Sequence, residues 1–152
     1  MHLIDAENPV FNVTALYPAS AATALALPFI VPHVSAGFPS PAENEMGIRL
    51  DFNQHFIKHP EATFFAQVSG DSMVDKRIDH GDILLVDRAI TPKDGNIVIA
   101  RIHSDFCIRV FRPTDEGVWL EPANKKYTPM FIPLESDGEI WGVIRLSLIE
   151  HL

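Results

Sequence analysis

Beyond Pro60 the chain alternates short apolar runs with turn residues. "ATFFAQVS" (62–69), "DILLVD" (82–87), "NIVIARI" (96–102), "DFCIRVF" (105–111), "GVWLEP" (117–122) and "EIWGVIRLSLI" (139–149) are rich in β-branched and aromatic residues. Each run predicts a strand. The turn "PKDG" precedes the third run, and His103-Ser104 joins the third to the fourth as a tight hairpin. Six or so short strands with frequent turn signals predict a compact, mostly antiparallel β fold. Before Pro60 the pattern differs. Leu50, Phe52, Phe56 and Ile57 are spaced for a short amphipathic helix from Asp51, stopped near His59 by Pro60. Residues 37–50 open on a Pro-rich loop, and residues 1–36 read as an Ala-rich, Pro-punctuated, nearly uncharged arm. The expected organisation is therefore an arm over 1–36 and a β domain over 37–152.

Composition narrows the class. With 152 residues, 47% of them hydrophobic and 21% charged, the chain fits one ordinary domain with some extra length. A single cysteine, Cys107, excludes an internal disulfide framework and a thiolate metal cluster, and favours a cytoplasmic protein. The net charge is −8, and no basic run is present. Such a chain lacks the footprint of a protein that grips DNA directly, so any link to nucleic acid is expected to run through a partner. Val34 and Ala36 stand where a signal peptidase prefers small residues, which raises a secreted β domain as a competing reading. Against it, residues 1–12 carry no Lys or Arg, and Pro18, Pro28 and Pro32 interrupt the apolar stretch. No Pro-free apolar run approaches the ~20 residues of a membrane span.

Three features bear on chemistry. Ser72, in "VSGDSMVDKRIDHGD", follows a strand and a Gly-Asp turn, a place that can expose a nucleophilic hydroxyl. Taken alone, it is read more simply as a helix N-cap, with Asp75 three residues on. Position 74 is Val, so the Gly-x-Ser-x-Gly elbow is not matched. The histidines at 33, 55, 59, 80 and 103 are scattered, and none is marked as a base. His55 and His59 share a helical spacing but lack a third ligand, so they read as solvated surface and no metal or cofactor is expected. Arg109 lies between apolar neighbours, sharing a strand face with Cys107 and Phe111. It is either a surface arginine at a strand edge or a functional residue in a partly dry pocket.

The blocks "AGFPSPA" (36–42), "HPEATFFAQVSGDSM" (59–73), "GDILLVDRAITPKDGNIVIA" (81–100), "DFCIRVF" and "EIWGVI" (139–144), in that order, resemble the UmuD family. These relatives of the LexA repressor's C-terminal domain are self-cleaving Ser–Lys peptidases of SOS mutagenesis. The resemblance implies a curved antiparallel β domain, usually homodimeric, with Ser72 as nucleophile and Ala36–Gly37 as the bond cut. It implies activation by the RecA filament on single-stranded DNA. The trimmed dimer would then act as a subunit of an error-prone translesion polymerase with a UmuC-type Y-family partner. LexA's DNA-binding domain has no counterpart here, so a repressor role is disfavoured. One position departs from the pattern: Arg109 stands where the family has its general-base lysine. Arginine stays protonated in proteins and cannot take the serine proton. The expectation is that self-cleavage is lost or impaired. A native non-cleaving accessory subunit of the polymerase, an introduced Lys→Arg exchange and a different base all remain open.

Overall fold

The computed structural model describes residues 13–18, 26–29 and 48–152 and divides the chain into two compact units, residues 20–60 and the remainder. Eleven elements carry the architecture: β1 (Val13–Pro18), β2 (Ala26–Phe29), β3 (Ile48–Asp51), α1 (Phe52–Phe56), β4 (Thr63–Val68), β5 (Ile83–Asp87), β6 (Ile97–Ile102), β7 (Asp105–Pro113), β8 (Gly117–Glu121), β9 (Met130–Pro133) and β10 (Glu139–Leu148). The smaller unit holds the antiparallel β2–β3 pair and α1. Asp51 caps α1 by accepting the Gln54 N–H at 3.1 Å, and the Phe52 and Phe56 rings meet 4.8 Å apart on one side of its single turn.

The larger unit is one open antiparallel sheet in the order β1-β4-β5-β10-β6-β7-β8-β9. The mostly β, antiparallel architecture expected from the sequence is present, and each of the six expected strands lies within two residues of its expected bounds. The β6–β7 hairpin turns at His103-Ser104, with Ile102 opposite Asp105 and His103 at φ 57°. This positive φ suits a two-residue hairpin turn that follows the strand twist. Four strands were not anticipated, β2 and β3 in the smaller unit and two in this sheet. Val13–Pro18, within the segment expected to be an arm, pairs with β4 at one sheet edge; Met130–Pro133 pairs with β8 at the other.

Both faces of β6 and β7 are buried, which explains their nearly unbroken apolar runs. Ile99, Ile108 and Val110 join Ala66, Leu84, Val86 and Trp141 in one core, while Val98, Ala100, Cys107 and Phe111 join Leu120, Met130 and Ile132 in a second. Trp141 carries Phe64 and Phe106 edge-on at 5.0 and 5.5 Å, with the Arg88 guanidinium 4.4 Å from its ring. Next to it, Gly142 has no room for a side chain: a Cβ there would stand 2.5 Å from Cγ1 of Val86, a fully buried β-branched residue with no rotamer to yield. Gly142→Ala is accordingly expected to lower stability by about 1–3 kcal/mol through overpacking. Chemical denaturation would show this as a lower midpoint at unchanged slope. A midpoint equal to the parent's would mean that β10 shifts to make space.

Candidate functional site

Strand β4 ends at Val68, whose N–H donates to Asp82 O at 3.0 Å and whose carbonyl accepts the Gly81 N–H at 2.8 Å. These bonds close residues 69–80 into a loop rooted between adjacent strands. Gly70 enters it at φ 80°, a left-handed conformation that favours glycine, and donates its N–H to His80 Nδ1 at 3.2 Å. Met73 and Ile78 anchor the loop in the first core, and a short 3-10 turn, Val74–Lys76, ends at Arg77 in the left-handed region. Ser72 sits at the head of this arrangement, 3% exposed. It is not the N-cap that its sequence context suggested. Met73 holds the position before the 3-10 turn, and the turn has no side-chain cap hydrogen bond. The Val74 N–H leans back toward Asp71 O at 3.5 Å.

Arg109 comes from the middle of β7, opposite Val98. It is 1% exposed, so the surface-edge reading fails and the side chain is buried. Its Nη1 donates to Ser72 Oγ at 3.0 Å and to the Ile108 carbonyl at 2.6 Å. Two residues 37 positions apart thus meet in the interior of the sheet. Burial pushes the Arg109 pKa down, partly opposed by Cys107 and Tyr127. Cys107 is itself pushed up to about 11 by burial, so it is a neutral thiol at physiological pH.

Such a pocket treats lysine and arginine differently. Desolvation disfavours any buried cation, and buried lysines reach pKa values of about 5–6 from an ordinary ~10.4. A lysine at this position would be driven toward the neutral amine that can accept a serine proton. Arginine begins above ~12 and, even lowered, stays charged. Its N–H occupies a lone pair of the serine oxygen. The pocket has the depressing environment that a general base needs, filled by a side chain that cannot use it.

The loop is held from its other side by residues that sequence reasoning missed. Ser72 O accepts the Ala123 N–H at 2.8 Å, and the Asp75 N–H donates to Ala123 O at 2.8 Å. Asn124 Nδ2 donates to Asp71 O at 2.8 Å. The Asp71 carboxylate accepts from Tyr127 Oη and, at 3.0 Å, from Lys126 Nζ. Polar "NKKY" after β8 was the available signal, but nothing in its spacing pairs it with Asp71. Tyr127 first and Lys126 second hold the Asp71 pKa below its ordinary value. The clamp is therefore present at neutral pH and above the usual carboxylate range, and is lost as pH falls through the lower folded pKa. A carboxyl ¹³C titration should place the Asp71 midpoint below ~3.9, and Tyr127→Phe should return it toward that value. An unchanged midpoint in the variant would remove Tyr127 from the clamp.

Other sequence candidates fall elsewhere. His80 braces the Gly70 turn, and His103 sits in the β6–β7 hairpin. The His55 ring packs edge-on against Phe56, and no group of three metal-ligating side chains occurs among the described residues. His33 and the Ala36–Gly37 bond lie outside the described residues. No helix among the described residues is long and apolar enough to cross a membrane.

Comparison with known proteins places the chain in a family. A family model described as Peptidase S24-like matches residues 28–145. The chain is 43% identical over 128 residues to Protein MucA of Salmonella typhimurium, covering 82% of this chain and 86% of that protein. It is 44% identical over 120 residues to Protein ImpA of Shigella flexneri, covering 77% and 79% respectively. It is 33% identical over 129 residues to the LexA repressor of Marinomonas sp., covering 82% of this chain and 61% of that protein. The matched span takes in the Ser72 loop, β7 and most of β10, and the chain belongs to the Peptidase S24-like family, as its resemblance to UmuD implied.

Proposed function

We propose that this chain is an SOS-mutagenesis protein of the UmuD type that keeps the peptidase fold but does not cut itself. The observation that carries the reading is the buried Arg109 Nη1–Ser72 Oγ bond, which puts a permanent cation where a neutral amine is required. In this reading Ser72 is the ancestral nucleophile and Ala36–Gly37 the ancestral substrate bond. Arg109 occupies the base position without serving as a base. The partners are a second copy of the chain, the RecA filament on single-stranded DNA and a UmuC-type Y-family polymerase, all in the cytoplasm. The relatives named MucA and ImpA and the acidic net charge support a role that reaches DNA through other proteins. The alternative from a different class, a purely non-enzymatic accessory subunit of the polymerase, draws on the same arginine.

Incubation with RecA, single-stranded DNA and a nucleoside triphosphate tests the reading. The intact chain should persist, with no product beginning at Gly37. Appearance of that product from this sequence, and its loss in Ser72→Ala, would overturn the inactive assignment. Failure of Arg109→Lys to cut as well would favour the non-enzymatic alternative.

A further inference from the structure

The β7–β8–β9 edge of the sheet carries a feature unrelated to Ser72. Cross-strand pairing aligns Arg112, Trp119 and Phe131 in one row, opposite the face on which Leu120, Met130 and Ile132 enter the core. Trp119 is 43% exposed, and its ring lies 5.0 Å from that of Phe131. A buried apolar contact does not account for so large a ring left in water at a sheet margin.

The β7–β8 turn completes the site. Thr114 and Glu116 are fixed by the Thr114 N–H and hydroxyl on Gly117 O, at 2.7 and 3.0 Å, and by the Glu116 N–H on Thr114 Oγ1 at 3.2 Å. Gly117 lets the Phe131 ring close on this turn, because a Cβ there would meet Phe131 Cζ at 2.8 Å and Ile132 O at 2.2 Å. Thr114, Asp115, Glu116, Trp119 and Phe131 line one open groove. Asp115 and Glu116 are exposed and enter no ion pair among the described residues, whereas the nearest cation of the row, Arg112, is bound to Glu121 and Asp94. Two aromatic faces beside two uncompensated carboxylates match a guanidinium or an ammonium, which gains from both the ring quadrupole and the charge.

We propose that this groove docks an extended, Arg- or Lys-containing segment of a partner protein through its cationic side chains. Three alternatives fit less well. Nucleic acid would stack on the rings but be repelled by the carboxylates. A second copy of this chain brings a net charge of −8 to an acidic face. Strand addition along β9 is curtailed by Pro133, which lacks an N–H, and by Pro129 just before the strand.

Amide NMR on the full chain tests the proposal. The capped peptide Gly-Arg-Gly-Lys-Arg-Gly should shift residues 114–119 and 131 saturably, and its Glu-substituted counterpart should not. Trp119→Ala, and separately the pair Asp115→Asn and Glu116→Gln, should weaken binding about five-fold or more. The acidic pair lies in an exposed turn, so it tests the site even if the tryptophan variant is poorly folded. Shifts spread over the whole acidic surface, or affinity unaffected by the acidic pair, would overturn the proposal. So would the same amides responding instead to a mixed-sequence single-stranded oligonucleotide or to protein concentration alone.

Discussion

Arg109→Lys is expected to make this chain cut itself between Ala36 and Gly37 when RecA filaments are supplied. The exchange changes one property above all. Both side chains are cations in water, but the interior around position 109 disfavours charge, and only lysine starts close enough to neutrality to lose it. Once neutral, the amine would accept the Ser72 proton at a position where the guanidinium now donates to Ser72 Oγ at 3.0 Å. General-base assistance contributes about 10²–10⁴ in rate. Because arm and site belong to one molecule, effective concentrations that reach about 10⁵–10⁸ M make even a modest base sufficient. The rate should rise with pH as the lysine deprotonates, with a midpoint near the ~7–8 typical of tuned catalytic lysines. Gel densitometry of the product beginning at Gly37, across pH and in a Ser72→Ala control, measures this. A flat pH profile, or cleavage surviving Ser72→Ala, would show that another group does the work.

Why the strand that carries Arg109 was visible in the chain while the arginine's setting was not has a physical reason. "DFCIRVF" reads as a strand from its own residues, and periodicity alone puts Cys107, Arg109 and Phe111 on one face. Whether that face meets water depends on β8 and β9, which close the second core over it from later in the chain. Likewise, Ser72 looks like a cap because local rules see Asp75, not the Ala123 backbone that grips the loop from across the fold. The two missed strands of the large sheet share a cause. Val13–Pro18 and Met130–Pro133 are short, contain proline and lie at sheet edges, where a missing N–H is tolerated and composition carries little signal. Strand β1 also finds its partner, β4, some 45 positions on, and no local pattern encodes such a pairing. The central strands β6 and β7, buried on both faces, were legible for the opposite reason: burial forces apolar, β-branched composition on them.

Replacing Arg109 with methionine is expected to make the protein more stable while leaving it unable to cut. The guanidinium is 1% exposed, and its contacts with Ser72 Oγ and the Ile108 carbonyl are with neutral acceptors. Two ionisable groups that act on it, Cys107 and Tyr127, have pKa values pushed up to about 11 and above the ordinary ~10 respectively, so neither is an anion at neutral pH. Folding desolvates this charge, and burial is the largest influence on its lowered pKa. Since the folded pKa is the lower one, that cost is present in full throughout the neutral range and is relieved only in strong alkali. Methionine fills similar length with an unbranched apolar chain. By analogy with buried ionic groups exchanged for apolar ones, the gain should be about 1–3 kcal/mol, or roughly 2–4 °C in Tm per kcal/mol for a chain of this size. Arg109→Lys supplies the matching control. Its stability should climb as pH rises from the lysine's folded pKa toward ~10.4, a slope that the parent lacks in that window. Differential scanning calorimetry of the three proteins between pH 6 and about 10 reads both effects. A methionine variant that melts below the parent would mean that the hydrogen bonds to Ser72 and Ile108 outweigh the desolvation, and that the arginine is retained as a structural brace.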